Sequence, residues 1–227
     1  MNNPFDFFDK IYCINLPECK NRWERVSKEF KKVGILNRVE RIWTTPPDKN
    51  FKISSLRLPT MFGCGLSHLK SLFHAMHENV ENVLIFEDDV VFVDDYKERL
   101  IVSINELPKE WDILFLGGNP RVKLNKTSSV LYQPTITSDH LNLFRGAFAY
   151  SISRAAMIQL CDFYFENIVQ SKPSVAAWDG ITSKITARNK SYAIVPYICT
   201  TTPCQSIIQG CFVDYKTSQD KEWKNAL

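Results

Sequence analysis

A short apolar run that ends in three consecutive carboxylates constrains this chain more than any other feature. Residues 83–93 read VLIFEDDVVFV, so a short buried strand is predicted with Glu87, Asp88 and Asp89 at its carboxyl end. Burying adjacent carboxylates without a compensating charge costs several kcal/mol per ion. A hard divalent cation such as Mg²⁺ or Mn²⁺ supplies that charge and leaves positions open for phosphate oxygens. The run therefore predicts a metal–phosphate site in the crevice beyond the strand. The alternative is a solvated acidic turn.

Hydrophobic periodicity along the chain alternates between strand and helix patterns. Buried strands are predicted over residues 10–16, 39–43, 83–86, 111–118 and 146–152, and helices over about 18–33, 66–80, 94–107 and 154–165. The second helix pattern, 66–80, is predicted to open at the Gly63-Cys64-Gly65 triplet. Strands that alternate with helices predict an α/β fold with a mostly parallel, doubly wound central sheet flanked by helices.

Composition excludes several classes of protein. The 227 residues suit a single domain, and 28 basic against 25 acidic residues, without a long basic block, give no reason to expect a nucleic-acid partner. The apolar runs are too short for a transmembrane segment, and the first residues do not resemble a signal peptide. The seven cysteines include no Cys-x-x-Cys pair, which favours reduced thiols. A cytoplasmic location is therefore expected.

Several local motifs occur in one order along the chain. They are Ile11-Tyr12-Cys13-Ile14-Asn15-Leu16 with Arg22 and Arg25, Gly63-Cys64-Gly65-Leu66-Ser67-His68, Glu87-Asp88-Asp89, the run 111–118 and the run 146–153. The combination resembles glycosyltransferase family 25, the lipopolysaccharide-type and collagen galactosyltransferase-like proteins, over residues 10–215. Each motif alone is weak, and their shared order is what carries the resemblance.

The resemblance implies a GT-A-type fold in one domain, residues 1–227. It would have a Rossmann-like nucleotide-sugar half over about 1–118 and an irregular acceptor half over about 119–227. The implied activity is inverting transfer of a hexose, galactose or glucose, from a UDP-sugar to a hydroxyl of a glycan or glycoconjugate acceptor, with Mn²⁺ or Mg²⁺ as cofactor. In the acceptor half, Tyr132, Phe144 and Trp178 are candidates for stacking on a sugar ring, with simple packing as the alternative.

Carried over residue by residue, the resemblance makes Asp89 a direct metal ligand. It places Asp88 near the ribose or a metal-bound water, and it has Glu87 orient a cation such as Arg22 or Arg25. The alternative for both arginines is a solvated helix face. Many GT-A enzymes use a histidine near the C-terminus as a second metal ligand. Here the last histidine is His140, so Asp214 is the candidate for that position.

The resemblance also places the uracil and ribose at Asn15 and Leu16, the end of the first strand. The alternative for Asn15 is a buried cap of the following helix. The same resemblance places His68 against the diphosphate or the sugar. The alternative is that His68 belongs to the first turn of a helix and is bonded to backbone.

Asp179 is the candidate catalytic base. It matches an acidic position of the family, and small apolar residues and a tryptophan surround it in the sequence, which would raise its proton affinity. The alternative is that Asp179 is the N-cap of a helix from Gly180 to Arg188. Asp139 and Asp214 are the next candidates for the base.

Two other functions compete with sugar transfer. A catalytically inactive sugar-nucleotide-binding protein would keep the same fold, since fold alone does not fix function. A metal-dependent phosphoryl-transfer enzyme or nuclease would also use clustered carboxylates. Against the second, the sequence carries no further acidic cluster of comparable strength.

Overall fold

A computed structural model describes residues 3–43, 59–136, 143–169, 178–205 and 212–227. Within these ranges the helices are α1 (Lys20–Lys32), α2 (Pro59–His77), α3 (Tyr96–Glu106), α4 (Arg154–Val169), α5 (Trp178–Thr186) and α6 (Tyr215–Ala226). The strands are β1 (Lys10–Asn15), β2 (Val39–Trp43), β3 (Asn82–Glu87), β4 (Val90–Phe92), β5 (Ile113–Phe115), β6 (Asn119–Pro120), β7 (Leu124–Lys126), β8 (Leu131–Pro134), β9 (Phe144–Arg145), β10 (Ala149–Ser153), β11 (Ser191–Ile194), β12 (Cys199–Thr201), β13 (Cys204–Gln205) and β14 (Phe212–Val213).

An eight-stranded sheet with the order β2-β1-β3-β10-β5-β11-β8-β7 forms the centre of the fold. The predicted α/β class is confirmed, but the prediction of a mostly parallel sheet is wrong. Only the β1–β2, β1–β3 and β5–β11 ladders are parallel. Strand β10 runs antiparallel to both β3 and β5. Strands β7 and β8 are joined by a short turn and are also antiparallel. The order of strands along a sequence does not reveal the direction in which a late strand enters the sheet.

Helices cover both faces of the sheet because side chains of a strand alternate between its faces. In β1, Cys13 lies in a buried cluster with Phe30 of α1. The neighbouring Tyr12 faces the other way, into a second cluster with Leu72 of α2. Helix α3 lies on the α1 side, whereas α4 and α5 lie on the α2 side. The three strands β2-β1-β3 with α1 and α2 thus form a doubly wound, Rossmann-like unit.

Helix α2 differs from its prediction in where it begins. It starts at Pro59, so the glycine triplet lies inside the helix and does not open it. Glycine is unfavourable in a helix by about 1 kcal/mol relative to alanine. Gly63 and Gly65 are both buried, and tertiary packing therefore overrides the local preference. The Gly63 carbonyl also accepts a 2.7 Å hydrogen bond from the Ser67 hydroxyl. The predicted loop over 44–58 lies outside the described residues.

The second half of the chain is more regular than predicted. Strands β7, β8, β10 and β11, half of the central sheet, all follow residue 118. The division into two halves at residue 118 stays a prediction, and the sheet runs across it. Among the described residues, no helix combines the length and the apolar character that a membrane crossing requires.

The aromatic residues proposed for sugar stacking serve as packing residues. Phe144 stacks on Phe115 with ring centroids 4.3 Å apart, and it is buried. Trp178 is also buried, and the half-buried Tyr132 packs against the same apolar cluster. The packing alternative is therefore correct for these three residues.

We predict that Gly117→Ala destabilises the fold more than Gly34→Ala does. A Cβ at Gly117 would lie 2.5 Å from the Cys199 carbonyl oxygen and 2.5 Å from the Phe148 ring. Overpacking of this kind costs about 1–3 kcal/mol, or about 2–4 °C in melting temperature per kcal/mol. Gly34 has φ +76° but open space around it, so its variant reports the backbone cost alone, about 1 kcal/mol. Equal melting temperatures in thermal unfolding would contradict the close approach at Gly117.

Candidate active site

The carboxyl ends of β1 and β3 meet at one edge of the sheet. The two strands are parallel neighbours, with Ile14 opposite Glu87, so Asn15 lies beside the start of the acidic triplet. Helix α1 follows β1 on one face, and α2 precedes β3 on the other. Ligands of open α/β sheets bind at such a switch point, where the connections leave on opposite faces. The fold therefore positions the triplet where a ligand site is expected.

Asp88 and Asp89 are buried beside an arginine of α1. Their exposed fractions are 6% and 7%, so the alternative of a solvated acidic turn is wrong. Arg22 contacts Asp88 through Nη2, and the same nitrogen lies 3.0 Å from Asp89 Oδ2. A solvated helix face is therefore also the wrong interpretation of Arg22. The arginine bridges the two carboxylates.

One arginine does not compensate the buried negative charge. Burial and the neighbouring charge of Glu87 together raise the pKa of Asp89 to about 7, against the opposing effect of Arg22. Burial also raises the pKa of Asp88, although Arg22 and a hydrogen bond from Asn15 oppose it. Oxygen donors with a deficit of positive charge suit a hard divalent cation. The donor set at Asp89 fits Mn²⁺ or Mg²⁺.

Asn15 links this carboxylate pair to β2. Its amide nitrogen donates to Asp88 Oδ2 and its amide oxygen accepts from Arg41. The alternative of a helix cap is wrong, because α1 follows Cys19 without a side-chain cap and the Asn15 amide nitrogen donates to the Cys19 carbonyl at 3.4 Å. Arg41 Nη2 also donates to the Leu16 carbonyl at 3.4 Å. Both residues predicted for the nucleoside thus lie at the crevice, and Asn15 is already bonded on both sides.

Sequence reasoning missed the residues at the end of β2. The Arg41 guanidinium lies 3.7 Å from the centre of the Trp43 ring and 4.9 Å from that of Trp23. Trp43 is 50% exposed, so part of its surface is open to solvent. The sequence could have indicated this contact, because side chains alternate between the two faces of a strand. Alternation over 39–43 places Arg41 and Trp43 on the same face of β2, next to β1.

Glu87 faces away from the Asp88–Arg22 contact. Its Oε1 lies 3.4 Å from His68 Nε2 of α2. The direct partner of Glu87 is therefore a histidine, and its predicted role in orienting Arg22 or Arg25 stays a prediction, although the charge of Arg22 also lowers the pKa of Glu87. Burial works against ionisation of Glu87, but the contact with His68 and the charge of Arg22 together outweigh it and keep the pKa below its ordinary value.

His68 lies in the interior of α2 and is completely buried. The alternative of a first-turn residue bonded to backbone is wrong. Its ring stacks on Trp178 with centroids 4.9 Å apart and 8° between the planes. His68 Nδ1 lies 3.1 Å from the Tyr150 hydroxyl, which accepts a 3.0 Å hydrogen bond from Trp178 Nε1. Tyr150 and Trp178 therefore fix the orientation of the imidazole.

Asp179 lies in the first turn of α5, close enough to Glu87 for their charges to interact. Its carboxylate accepts hydrogen bonds from the backbone N–H groups of Gly146, at 3.1 Å, and Ala147, at 3.3 Å. The alternative that Asp179 caps a helix from Gly180 is wrong, since α5 begins at Trp178 and the carboxylate accepts from the backbone of Gly146 and Ala147. Burial raises the pKa of Asp179, against the effect of the two hydrogen bonds.

Asp214 is the N-cap of α6 and is exposed. It accepts from the Thr217 N–H at 3.4 Å and from the Thr217 hydroxyl at 3.0 Å. Capping accounts for this side chain, and its role as a second metal ligand stays a prediction. Asp139, the other residue named after Asp179 as a candidate for the catalytic base, lies outside the described residues.

Buried carboxylates, an arginine and an amide at the switch point of the sheet are typical of α/β proteins that bind phosphate-bearing ligands. A sequence model described as glycosyltransferase family 25 (LPS biosynthesis protein) matches residues 59–170. That region contains α2, the acidic triplet and most of the residues around His68. Over these residues the chain is similar to glycosyltransferase family 25, and the relatives below extend the similarity to other parts of the chain.

Three relatives are similar over different lengths. Procollagen galactosyltransferase 2 of Mus musculus is 27% identical over 129 residues, 48% of this chain and 21% of the relative. The procollagen lysyl hydroxylase and glycosyltransferase of Acanthamoeba polyphaga mimivirus is 27% identical over 197 residues, which are 75% of this chain and 22% of the relative. A Haemophilus influenzae protein with a provisional glycosyltransferase name is 26% identical over 208 residues, which are 83% of this chain and 68% of the relative. The chain thus spans about a fifth of the length of the two procollagen-modifying relatives.

We predict that Mn²⁺ stabilises the protein more at about pH 8 than at about pH 5. The folded protein holds a proton on Asp89 up to a pKa of about 7, whereas the ordinary value is 3.8. The folded state therefore binds more protons between these values, and metal-free stability falls as the pH rises through them. A cation takes the place of that proton at high pH.

Melting temperatures with and without Mn²⁺ at both pH values measure this effect. Glu87, Asp88, Arg22 and Arg25 also act on this carboxyl, so Asp89→Asn is the control that isolates it. Asp89→Asn should respond little to Mn²⁺ and should lose this component of the pH dependence. An equal Mn²⁺ response at both pH values in the parent protein would contradict the assignment.

Proposed function

We propose that this chain is a metal-dependent, inverting glycosyltransferase. It would move a hexose, galactose or glucose, from UDP to a hydroxyl of a glycan or glycoconjugate acceptor. The supporting observation is the buried Asp88–Asp89 pair, which meets Arg22 at the switch point of the sheet and retains an excess of negative charge. The similarity to glycosyltransferase family 25 supports sugar transfer, and a relative named for galactosyl transfer supports galactose as the donor sugar.

Asp89 would hold Mn²⁺ or Mg²⁺, with Asp214 as the second candidate ligand. When bound, the cation supplies Lewis-acid stabilisation of the negative charge that develops on the departing diphosphate. Arg22 lies between Asp88 and Asp89 and brings a fixed positive charge to the same place. A preorganised charge of this kind acts on the developing anion without reorganisation.

The nucleoside would lie along the ends of β1 and β2. Asp88 already contacts Arg22 through one oxygen and Asn15 through the other. Each carboxylate oxygen can accept a second hydrogen bond, so a ribose hydroxyl can be bound without breaking either contact. The partly exposed Trp43 ring offers a surface for the uracil. Asn15 and the Leu16 backbone would complete the subsite.

Asp179 would act as the base that takes the proton from the attacking hydroxyl. The two backbone N–H groups of Gly146 and Ala147 hold its carboxylate in place. Burial raises its pKa, which favours proton acceptance. His68, fixed by Tyr150 and Trp178, would contact the sugar or the diphosphate from α2.

A screen of UDP-galactose, UDP-glucose and UDP-N-acetylglucosamine with Mn²⁺ tests the function directly. Release of UDP, increased by an acceptor glycan, is the expected result. UDP-sugar binding without turnover would instead establish an inactive sugar-nucleotide-binding protein. Cleavage of a phosphodiester substrate would establish the phosphoryl-transfer alternative.

We predict that Asp89→Asn reduces UDP affinity in Mn²⁺ toward the metal-free level. Asparagine keeps the shape of the side chain and removes its charge, so the cation is held weakly. Calorimetric titration of UDP with and without Mn²⁺ measures the effect. Asp94→Asn is the matched control, because Asp94 is fully exposed and its ion pair with Lys32 is 3.4 Å long. Unchanged binding by Asp89→Asn would remove the proposed metal–diphosphate site.

We predict that Asp179→Asn lowers transfer by roughly 10²–10⁴-fold, as loss of a catalytic base does. Asparagine also offers only one acceptor oxygen for the two N–H groups, which should cost about 1–3 kcal/mol of stability. Donor binding should persist. The parent protein's transfer rate should fall as the pH decreases through a pKa above the ordinary 3.8 of an aspartate.

Asp112→Asn is the control for this experiment. Asp112 is also buried with a raised pKa, but it lies at the start of β5, away from the triplet. Its variant should keep both turnover and the pH profile. Near-normal turnover of Asp179→Asn would show that another group takes the proton.

A further inference from the structure

Three potential metal ligands meet on the α2 side of β3. They are the Cys64 thiol, the His68 imidazole and the Glu87 carboxylate, whose ligand atoms all lie within 4.8 Å of one another. Cys64 and His68 are four residues apart in α2, so they share one face of the helix. Glu87 ends β3 and points toward that face. Glu87 is the last residue of β3, whereas Asp88 and Asp89, which contact Arg22, lie in the turn that follows the strand.

The imidazole is held in a position that suits a ligand. His68 Nε2 is buried and makes no hydrogen bond within the described part of the chain. It faces Glu87 Oε1 at 3.4 Å, with Nδ1 fixed by the Tyr150 hydroxyl. Metal-binding histidines are oriented in this way, through a hydrogen bond at the second ring nitrogen.

The separation of the two atoms matches tetrahedral coordination. Zinc bonds of about 2.0–2.2 Å to nitrogen and oxygen imply a distance of roughly 3.4 Å between the two ligand atoms. The observed Nε2–Oε1 distance is 3.4 Å. A thiol, an imidazole and a carboxylate are the ligand types that zinc takes, and three protein ligands leave one position open. Hard cations such as Mg²⁺ prefer oxygen ligands alone.

We propose that Cys64, His68 and Glu87 form a site for a zinc-class divalent cation, whose ligands differ from those of the Mn²⁺ or Mg²⁺ site at Asp89. With this ion bound, His68 is its ligand and not a direct contact of the sugar or the diphosphate. A thiolate, a carboxylate and a neutral imidazole balance the charge of Zn²⁺. Binding transfers the Cys64 thiol proton to solvent as the S–Zn bond forms, so affinity rises with pH. The bound ion would join α2 to the end of β3 and stabilise the fold.

Cobalt titration of the metal-free, reduced protein tests this site. Co²⁺ adopts the same geometry, and a bound thiolate gives a charge-transfer absorption band in the near ultraviolet. One equivalent of Co²⁺ should produce that band, and Zn²⁺ should displace the Co²⁺ and abolish it. Zn²⁺ should also raise the melting temperature of the parent protein.

Cys64→Ser should lose the band. Its Zn²⁺ affinity should fall by at least roughly 10–100-fold, the loss that follows when only a hydrogen-bond partner of a metal ligand is removed. Cys161→Ser is the matched control, since Cys161 is a buried free cysteine of α4, and it should keep the band. His68→Gln provides a second variant, should serine at position 64 prevent folding. Absence of the band in the parent protein, or an unchanged band in Cys64→Ser, would overturn the proposal.

Discussion

The contact of Arg22 with Asp88 and Asp89 is the interaction on which the site depends. It joins α1 to the end of β3 and allows two carboxylates to be buried next to each other. The compensation is incomplete, because the pKa of Asp89 remains raised to about 7. The arginine thus offsets only part of the buried negative charge and leaves room for a further positive charge. Additional positively charged side chains beside Asp88 and Asp89 would stabilise the metal-free protein and weaken its affinity for a metal.

The end of β3 divides the acidic triplet between two environments, because Glu87 is the last residue of the strand and Asp88 and Asp89 lie in the turn after it. Asp88 meets Arg22 and Asn15 on the α1 side, whereas Glu87 meets His68 on the α2 side. The three residues are therefore not interchangeable, although the sequence presents them as one cluster. Their opposite pKa directions, lowered at Glu87 and raised at Asp88, express the same division.

The sequence was sufficient for the features that depend on local periodicity. The acidic strand end, β1, β2 and α1 all lie close to their predicted positions, because burial of alternate or every third-to-fourth residue is visible in a single segment. Features set by distant segments were missed. The antiparallel entry of β10 and the start of α2 at Pro59, before its glycines, depend on packing against segments far along the chain. The side-chain partners of Asn15 and Asp179 were unpredictable for the same reason.

The segment 146–148 is bonded on both sides to parts of the site. Asp179 of α5 accepts hydrogen bonds from the N–H groups of Gly146 and Ala147, and the Phe148 carbonyl accepts one of 2.8 Å from the N–H of Glu87. Gly146 adopts a φ of +69°, a conformation that side chains rarely permit. The helix that carries the proposed base and the strand that carries the acidic residues are therefore joined by three consecutive residues of backbone. A displacement of α5 would change the position of Glu87 without any direct contact between the two side chains.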